Sequence, residues 1–235
     1  MRNNMRKMTV LLPLASLAAL TLGCITLLAA DSEDHGVIAF PGNPSWAWAM
    51  RPSATTTLAN IPNVTNLYTI YSNLGSKTHA YNDQTGYKVH GPDSGEGHEE
   101  WIAMPFTPNS NALVTTIEVA VQYNKAGTNA VTISLNEDAA GLPGKAVHTW
   151  NLTNLPKFGT CCKLDVVKNS RGLKVMRSVQ YWVVASTNAN AQRTEDVWDF
   201  TYNGATGQFA FNQGSGWQSQ NSYLSAFGVF GKKTK

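Results

Sequence analysis

The sequence predicts an all-β protein, an antiparallel, jelly-roll-like β-sandwich preceded by an N-terminal signal or anchor segment. Two observations carry the fold class. Apolar and polar residues alternate with period two in segment after segment, which marks half-buried antiparallel strands. These segments are short and closely spaced, with Gly, Asn and Pro turn signals between them, as in a sandwich or barrel. No stretch of convincing length repeats with the helical period.

The first element is residues 1–30. Arg2, Arg6 and Lys7 make a positive start, Thr9 to Ala30 carries no charge, and Asp31, Glu33 and Asp34 end the run. This is the layout of an export signal. Three fates stay open: cleavage after Ala29-Ala30, lipidation at Cys24, or retention as an anchor. The run is long enough for retention, because a spanning helix needs about 20 apolar residues. Each fate puts the remainder outside the cytoplasm, at the cell surface or beyond it, with the positive end inside. Contact with a membrane is expected only if the segment is kept.

Those thirty residues hold three of the 18 Lys+Arg and none of the 15 Asp+Glu, so the remainder carries 15 of each. A neutral chain lacks the basic footprint that nucleic acid requires. Residues 31–66, rich in Pro, Ala and Thr, read as an irregular lead-in. Residues 67–231 are the sandwich domain. Residues 232–235, with Lys232, Lys233 and Lys235, read as a solvated basic tail.

Within the domain, Leu113, Thr115, Ile117, Val119 and Val121 are expected on one strand face, with Thr116, Glu118 and Gln122 opposite. Val131, Ile133 and Leu135 alternate with Thr132, Ser134 and Asn136. Further strands are expected around Trp101–Phe106, Ala146–Leu152, Leu164–Val167, Val179–Thr187, Val197–Tyr202, Gln208–Asn212 and Ser222–Gly231. The stretch YWVVAS is apolar on both faces and is placed centrally, covered on both sides. The predicted core includes Ile117, Val119, Ile133, Leu135, Tyr181 and Val183.

Taken in order, YSNLG, WIAMPFTP, TTIEVAVQY, GTNAVTISLNEDAAGLPGKAV, LPKFGTCC, VQYWVVAST, WDF and SAFGVFG resemble a group of exported bacterial β-sandwich proteins described as choice-of-anchor domains. The resemblance covers roughly Leu67 to Gly231. It implies export and a jelly-roll-like sandwich, and it brings no activity to any residue. The ending FGVFGKKTK has neither a hydrophobic tail nor a sorting motif, so any attachment is expected through the N-terminus or a partner.

Catalytic patterns are weak. HEEWI at His98–Ile102 has Ile102 where a zinc-protease motif needs its second histidine. Ser215 lacks the nucleophile-elbow spacing. The carboxylate pairs Glu99/Glu100, Glu137/Asp138 and Glu195/Asp196 are adjacent, and neighbours on a strand point to opposite faces. The chain is therefore read as no enzyme. No cofactor is expected. A single structural calcium is the alternative, with Asp83, Asp93 and Glu99 as loop oxygen donors.

Aromatic side chains are the strongest binding hint, since sugar rings present apolar faces. Trp217, placed in a loop after Gly214-Ser215-Gly216, leads, followed by Trp150 and Tyr202. Trp182 and Trp198, inside strands, are expected in the core. The expected role is surface adhesion, with a glycan or an extracellular matrix component as partner. The alternatives are a structural envelope or matrix protein without a specific ligand, and a carbohydrate-active enzyme. Cys161 and Cys162 are adjacent, and outside the cytoplasm thiols are oxidised. If the signal is cleaved Cys24 leaves with it, and a bond between these neighbours is expected, with free thiols or interchain bonds as the alternatives.

Overall fold

The computed structural model of the chain describes residues 37–39, 67–124 and 127–235. The readings made for residues 1–36 and 40–66 lie outside them. The strands are β1 (Val37–Ala39), β2 (Tyr68–Ser72), β3 (Asn82–His90), β4 (Trp101–Phe106), β5 (Ala112–Val119), β6 (Val121–Tyr123) and β7 (Ala130–Ala139). They continue as β8 (Leu142–Thr153), β9 (Asp165–Val175), β10 (Tyr181–Ser186), β11 (Glu195–Phe200), β12 (Thr206–Asn212), β13 (Trp217–Tyr223) and β14 (Phe227–Lys233). Every ladder between them is antiparallel.

One sheet has the order β13-β12-β4-β10-β7-β8; two four-stranded sheets have the orders β1-β3-β11-β6 and β2-β14-β5-β9. The two smaller sheets are joined where β5 runs into β6: Ala120 N–H donates to the Ala226 carbonyl, and Asp199 N–H donates to the Ala120 carbonyl. The main core lies between them and the six-stranded sheet. Ile117, Val119, Ile133, Leu135 and Val183 are fully buried there and Tyr181 is 7% exposed, as the alternation predicts. In YWVVAS, Tyr181, Val183 and Ala185 join this core, while Trp182 and Val184 pack with Ala103 and Ala210 on the other face of the sheet. Trp198 is buried in the main core and donates its Nε1–H to the Ala226 carbonyl at 3.0 Å.

Local departures from the period-two reading have physical causes. In β5 the register shifts between Val114 and Thr116. This bulge puts Ala112 and Val114 in the core ahead of Ile117 and Val119, leaving Leu113 and Thr115 part-exposed. The β7–β8 turn is Ala140-Gly141, with φ of 56° and 84°, the two positive values that a tight hairpin with right-handed strands requires. Pro143 and Gly144 follow inside β8, an edge strand, where a missing N–H is tolerated.

Two loop assignments are corrected. Asp83 lies in β3, and Trp217 opens β13. Both strands are largely polar, NDQTGYKVH and WQSQNSY, so alternation gives almost no signal. Backbone pairing makes them. In the connection before β13, the Asn212 side-chain oxygen accepts the N–H groups of Gly214 and Gly216 at 2.9 and 3.1 Å, which closes the hairpin. At the ends of the domain, β1 forms a short strand inside the lead-in, and β14 runs on through Lys232 and Lys233.

Candidate functional site

β13 is an edge of the six-stranded sheet, and its pairing with β12 fixes which side chains share a face. Trp217 lies opposite Asn212, Ser219 opposite Ala210, Asn221 opposite Gln208, and Tyr223 opposite Thr206. Residues i, i+2 and i+4 share a strand face, so Trp217, Ser219 and Asn221 form one row, and Tyr223 ends it with its ring against Phe200, centroids 5.3 Å apart. Trp217 is half-buried against the Ala103–Trp182 cluster and tilts toward Trp101, with ring centroids 6.5 Å apart. Ser219, Asn221 and Tyr223 are exposed. At about 3.3 Å per residue the two aromatic ends stand about 20 Å apart. No charged residue occurs from Phe200 to Gly231, so the whole β12–β13 hairpin is neutral.

Trp150 and Tyr202 do not join this row. Trp150 faces the opposite side of the same sheet: it pairs with Ile133, packs on the main core and donates Nε1–H to the Lys168 carbonyl at 3.0 Å. Tyr202 is exposed in the β11–β12 connection and lies against His79, with centroids 4.5 Å apart.

Cys161 and Cys162 form a disulfide between neighbours, across a cis peptide bond. The turn that carries them is clasped from below. Buried Gln122 donates Nε2–H to the Tyr81 hydroxyl (3.0 Å) and to the Thr160 carbonyl (2.5 Å), and its Oε1 accepts Gly159 N–H at 2.9 Å. The Tyr81 hydroxyl lies 2.9 and 3.1 Å from the carbonyls of Thr160 and Lys163. Cys162 and Leu164 pack on Ala80, Tyr81, Ala120 and Ala226. Both half-cystines are half-buried, so the bond presents one side outward.

The three proposed calcium donors are spread over different settings. Asp83 is half-buried in β3, where burial raises its pKa; Asp93 is exposed in the β3–β4 connection; Glu99 is half-buried beside Gly214. The more unusual acids lie deeper. Asp196 and Asp199 have both carboxyl oxygens buried without a hydrogen-bond partner, as does Oδ2 of Asp165. Burial holds Asp199 well above the carboxylate range, reinforced by Asp83; burial does the same for Asp196, reinforced by Asp165. Burial pushes Asp165 up to about 7, against the pull of Lys163. Asp165 pairs with Val119 and Asp196 with Val89, both core residues. Paired residues share a face, so these two carboxyls point into the sandwich interior.

A third cluster forms where β3 turns into β4. A bridge between His90 and Glu100 holds the two strand ends together. One ligand atom each from His90, His98 and Glu100 lies within 4.8 Å of the others. His90 and Glu100 are 2% and 1% exposed, whereas His98 is exposed. The adjoining cleft is lined by Lys88, His90, Glu96, Asn124, Glu195 and Asp196. Sequence reading tested HEEWI for a helical histidine pair and missed His90, which arrives through strand pairing eight positions upstream. The signal available was the run of titratable residues from His90 to Glu100. No protein-family model, no curated protein and no solved structure matches this chain.

Proposed function

We propose that this is an exported, non-catalytic β-sandwich of the choice-of-anchor type, which binds a neutral glycan at the cell surface or in the extracellular matrix. The observation that carries the reading is the β13 row: two part-exposed aromatic residues about 20 Å apart along an extended backbone, with Ser219 and Asn221 between them on an uncharged hairpin. Aromatic faces stack on the apolar faces of sugar rings, and hydroxyl and amide groups exchange hydrogen bonds with sugar hydroxyls. The hairpin's own residues offer a charged ligand no counter-charge. Trp217 is anchored by its packing on the Trp101 side, so little rotamer freedom is lost on binding, which favours affinity. Asp165 and Asp196, two of the acids with raised pKa values, face the interior beside Val119 and Val89, which supports a packing role for them and not catalysis.

One observation favours the competing structural reading. β13 is an edge strand without charge or proline, lacking the usual guards against strand addition. In that case the same edge joins copies of the chain or a matrix partner. A glycan array probed with the oxidised protein tests the proposal. Binding to neutral oligosaccharides, lost in Trp217→Ala and Tyr223→Ala, supports it. Binding equal to that of the parent in both variants, or no binding above background together with concentration-dependent self-association, rejects it in favour of assembly.

A further inference from the structure

We propose that His90, His98 and Glu100 form a binding site for a divalent first-row transition ion, with zinc as the occupant. The argument starts from lone pairs. His90 Nδ1 lies 2.6 Å from the main-chain carbonyl of His98, and His98 Nδ1 lies 3.1 Å from the carbonyl of Glu96. A carbonyl only accepts, so both Nδ1 atoms carry the proton. In each neutral ring Nε2 is then a bare lone pair. This pairing of Nδ1–H with a carbonyl is what orients metal-binding imidazoles.

The His90 lone pair does not face a donor. Its Nε2 is 3.4 Å from Oε2 of Glu100, itself an acceptor. The other oxygen of that carboxylate, Oε1, is buried without a hydrogen-bond partner. Two acceptors set against each other in a buried place call for a positive charge between them. A proton on His90 satisfies one contact and leaves Oε1 unmatched. A metal ion satisfies the carboxylate and both imidazoles together.

The dimensions agree. Ligand atoms about 2.0–2.1 Å from a tetrahedral zinc lie about 3.3–3.4 Å from one another. The separation of His90 Nε2 and Glu100 Oε2 is 3.4 Å. The full set spans up to 4.8 Å, so the third ligand has to close in by about 1–1.5 Å to reach that geometry. His98, the exposed member, stands beside His90 with ring centroids 4.9 Å apart, so a small shift of its ring suffices. Two imidazoles and a carboxylate suit zinc and its neighbours, while calcium prefers six to eight oxygens. Three protein ligands would leave a fourth position for water.

The site is independent of the β13 row and stands whether or not that row binds glycan. The test uses the full chain, stripped with a chelator that is then removed, and titrated with zinc alone by calorimetry at pH 7.5. Cobalt serves as the spectroscopic probe. The expected result is one ion per chain, a visible absorption band of four-coordinate cobalt, and no comparable heat from calcium. At a hundredfold excess of zinc over its Kd the melting temperature is expected to rise by about 5–10 °C. His98→Ala, at an exposed position, keeps the fold and is expected to lower zinc affinity at least tenfold. Glu100→Gln, close in shape, is expected to do the same. No zinc binding up to 100-fold molar excess, or unchanged affinity in His98→Ala, overturns the proposal.

Discussion

Asp165→Asn is expected to make the protein more stable at alkaline pH and to remove most of one pH dependence. The carboxyl of Asp165 faces the interior, Oδ2 has no partner, and burial raises its pKa to about 7. In the unfolded chain an aspartate titrates near 3.9. Between these values the folded state holds a proton that the unfolded state has released. Stability therefore falls as pH rises through this window and is flat above it. Across the whole window the loss is up to about 4 kcal/mol, from about 3 pH units at 1.36 kcal/mol each. From pH 5 to pH 8 the share is about 3 kcal/mol, reduced toward about 1 by the water that reaches this part-exposed side chain. The amide has the same shape and no proton to lose. Urea unfolding followed by tryptophan fluorescence at pH 5 and pH 8, with the disulfide kept oxidised, gives the comparison. The wild type is expected to lose at least about 1 kcal/mol more than Asp165→Asn over that interval. Parallel losses in the two proteins would refute the burial argument.

Other outcomes follow from the same structure. Gln122→Ala removes three hydrogen bonds under the Cys161–Cys162 turn and leaves the Tyr81 hydroxyl without its amide donor and Gly159 N–H without its acceptor, so it is expected to cost about 2–4 kcal/mol in urea unfolding. Trp182→Ala empties a fully buried site and leaves Asp138 without its 2.8 Å Nε1–H donor; a loss of about 3–5 kcal/mol is expected, with Trp182→Phe losing clearly less. Alkylation of the unreduced protein is expected to leave the peptide containing Cys161 and Cys162 unmodified and to add two groups after reduction. Two adducts without reductant would show free thiols instead.

The sequence announced the apolar strands and hid the polar ones. β7, β10 and the second half of β5 carry Ile, Val and Leu at period two, and their core residues are legible one by one. β3 and β13 carry hydroxyl and amide side chains on both faces, so only the backbone ladder reveals them. That is why Asp83 and Trp217 were expected in loops. The bulge in β5 was invisible for another reason: a one-residue register shift leaves composition unchanged while it exchanges faces. For the binding surface, Trp217 was found by residue type alone, and its neighbours Ser219, Asn221 and Tyr223 needed the strand. Trp150 shows the limit of that approach, because its exposure depends on which face of β8 it occupies. The His90–Glu100 contact is a tertiary feature that no local motif encodes. Asp196 and Asp199 carry no local sign of burial, and only the packing of β11 makes them buried.

The most direct test of the binding account is sedimentation with insoluble neutral polysaccharides, cellulose and chitin among them, for three forms of the chain. The wild type is compared with a Trp217→Ala/Tyr223→Ala double variant and with Trp150→Ala, which alters the opposite face of the sheet. The account predicts that wild type and Trp150→Ala partition onto at least one polysaccharide, and that the double variant stays in solution with affinity down at least tenfold. Retention of the double variant at the wild-type level, or loss of binding only in Trp150→Ala, would contradict it.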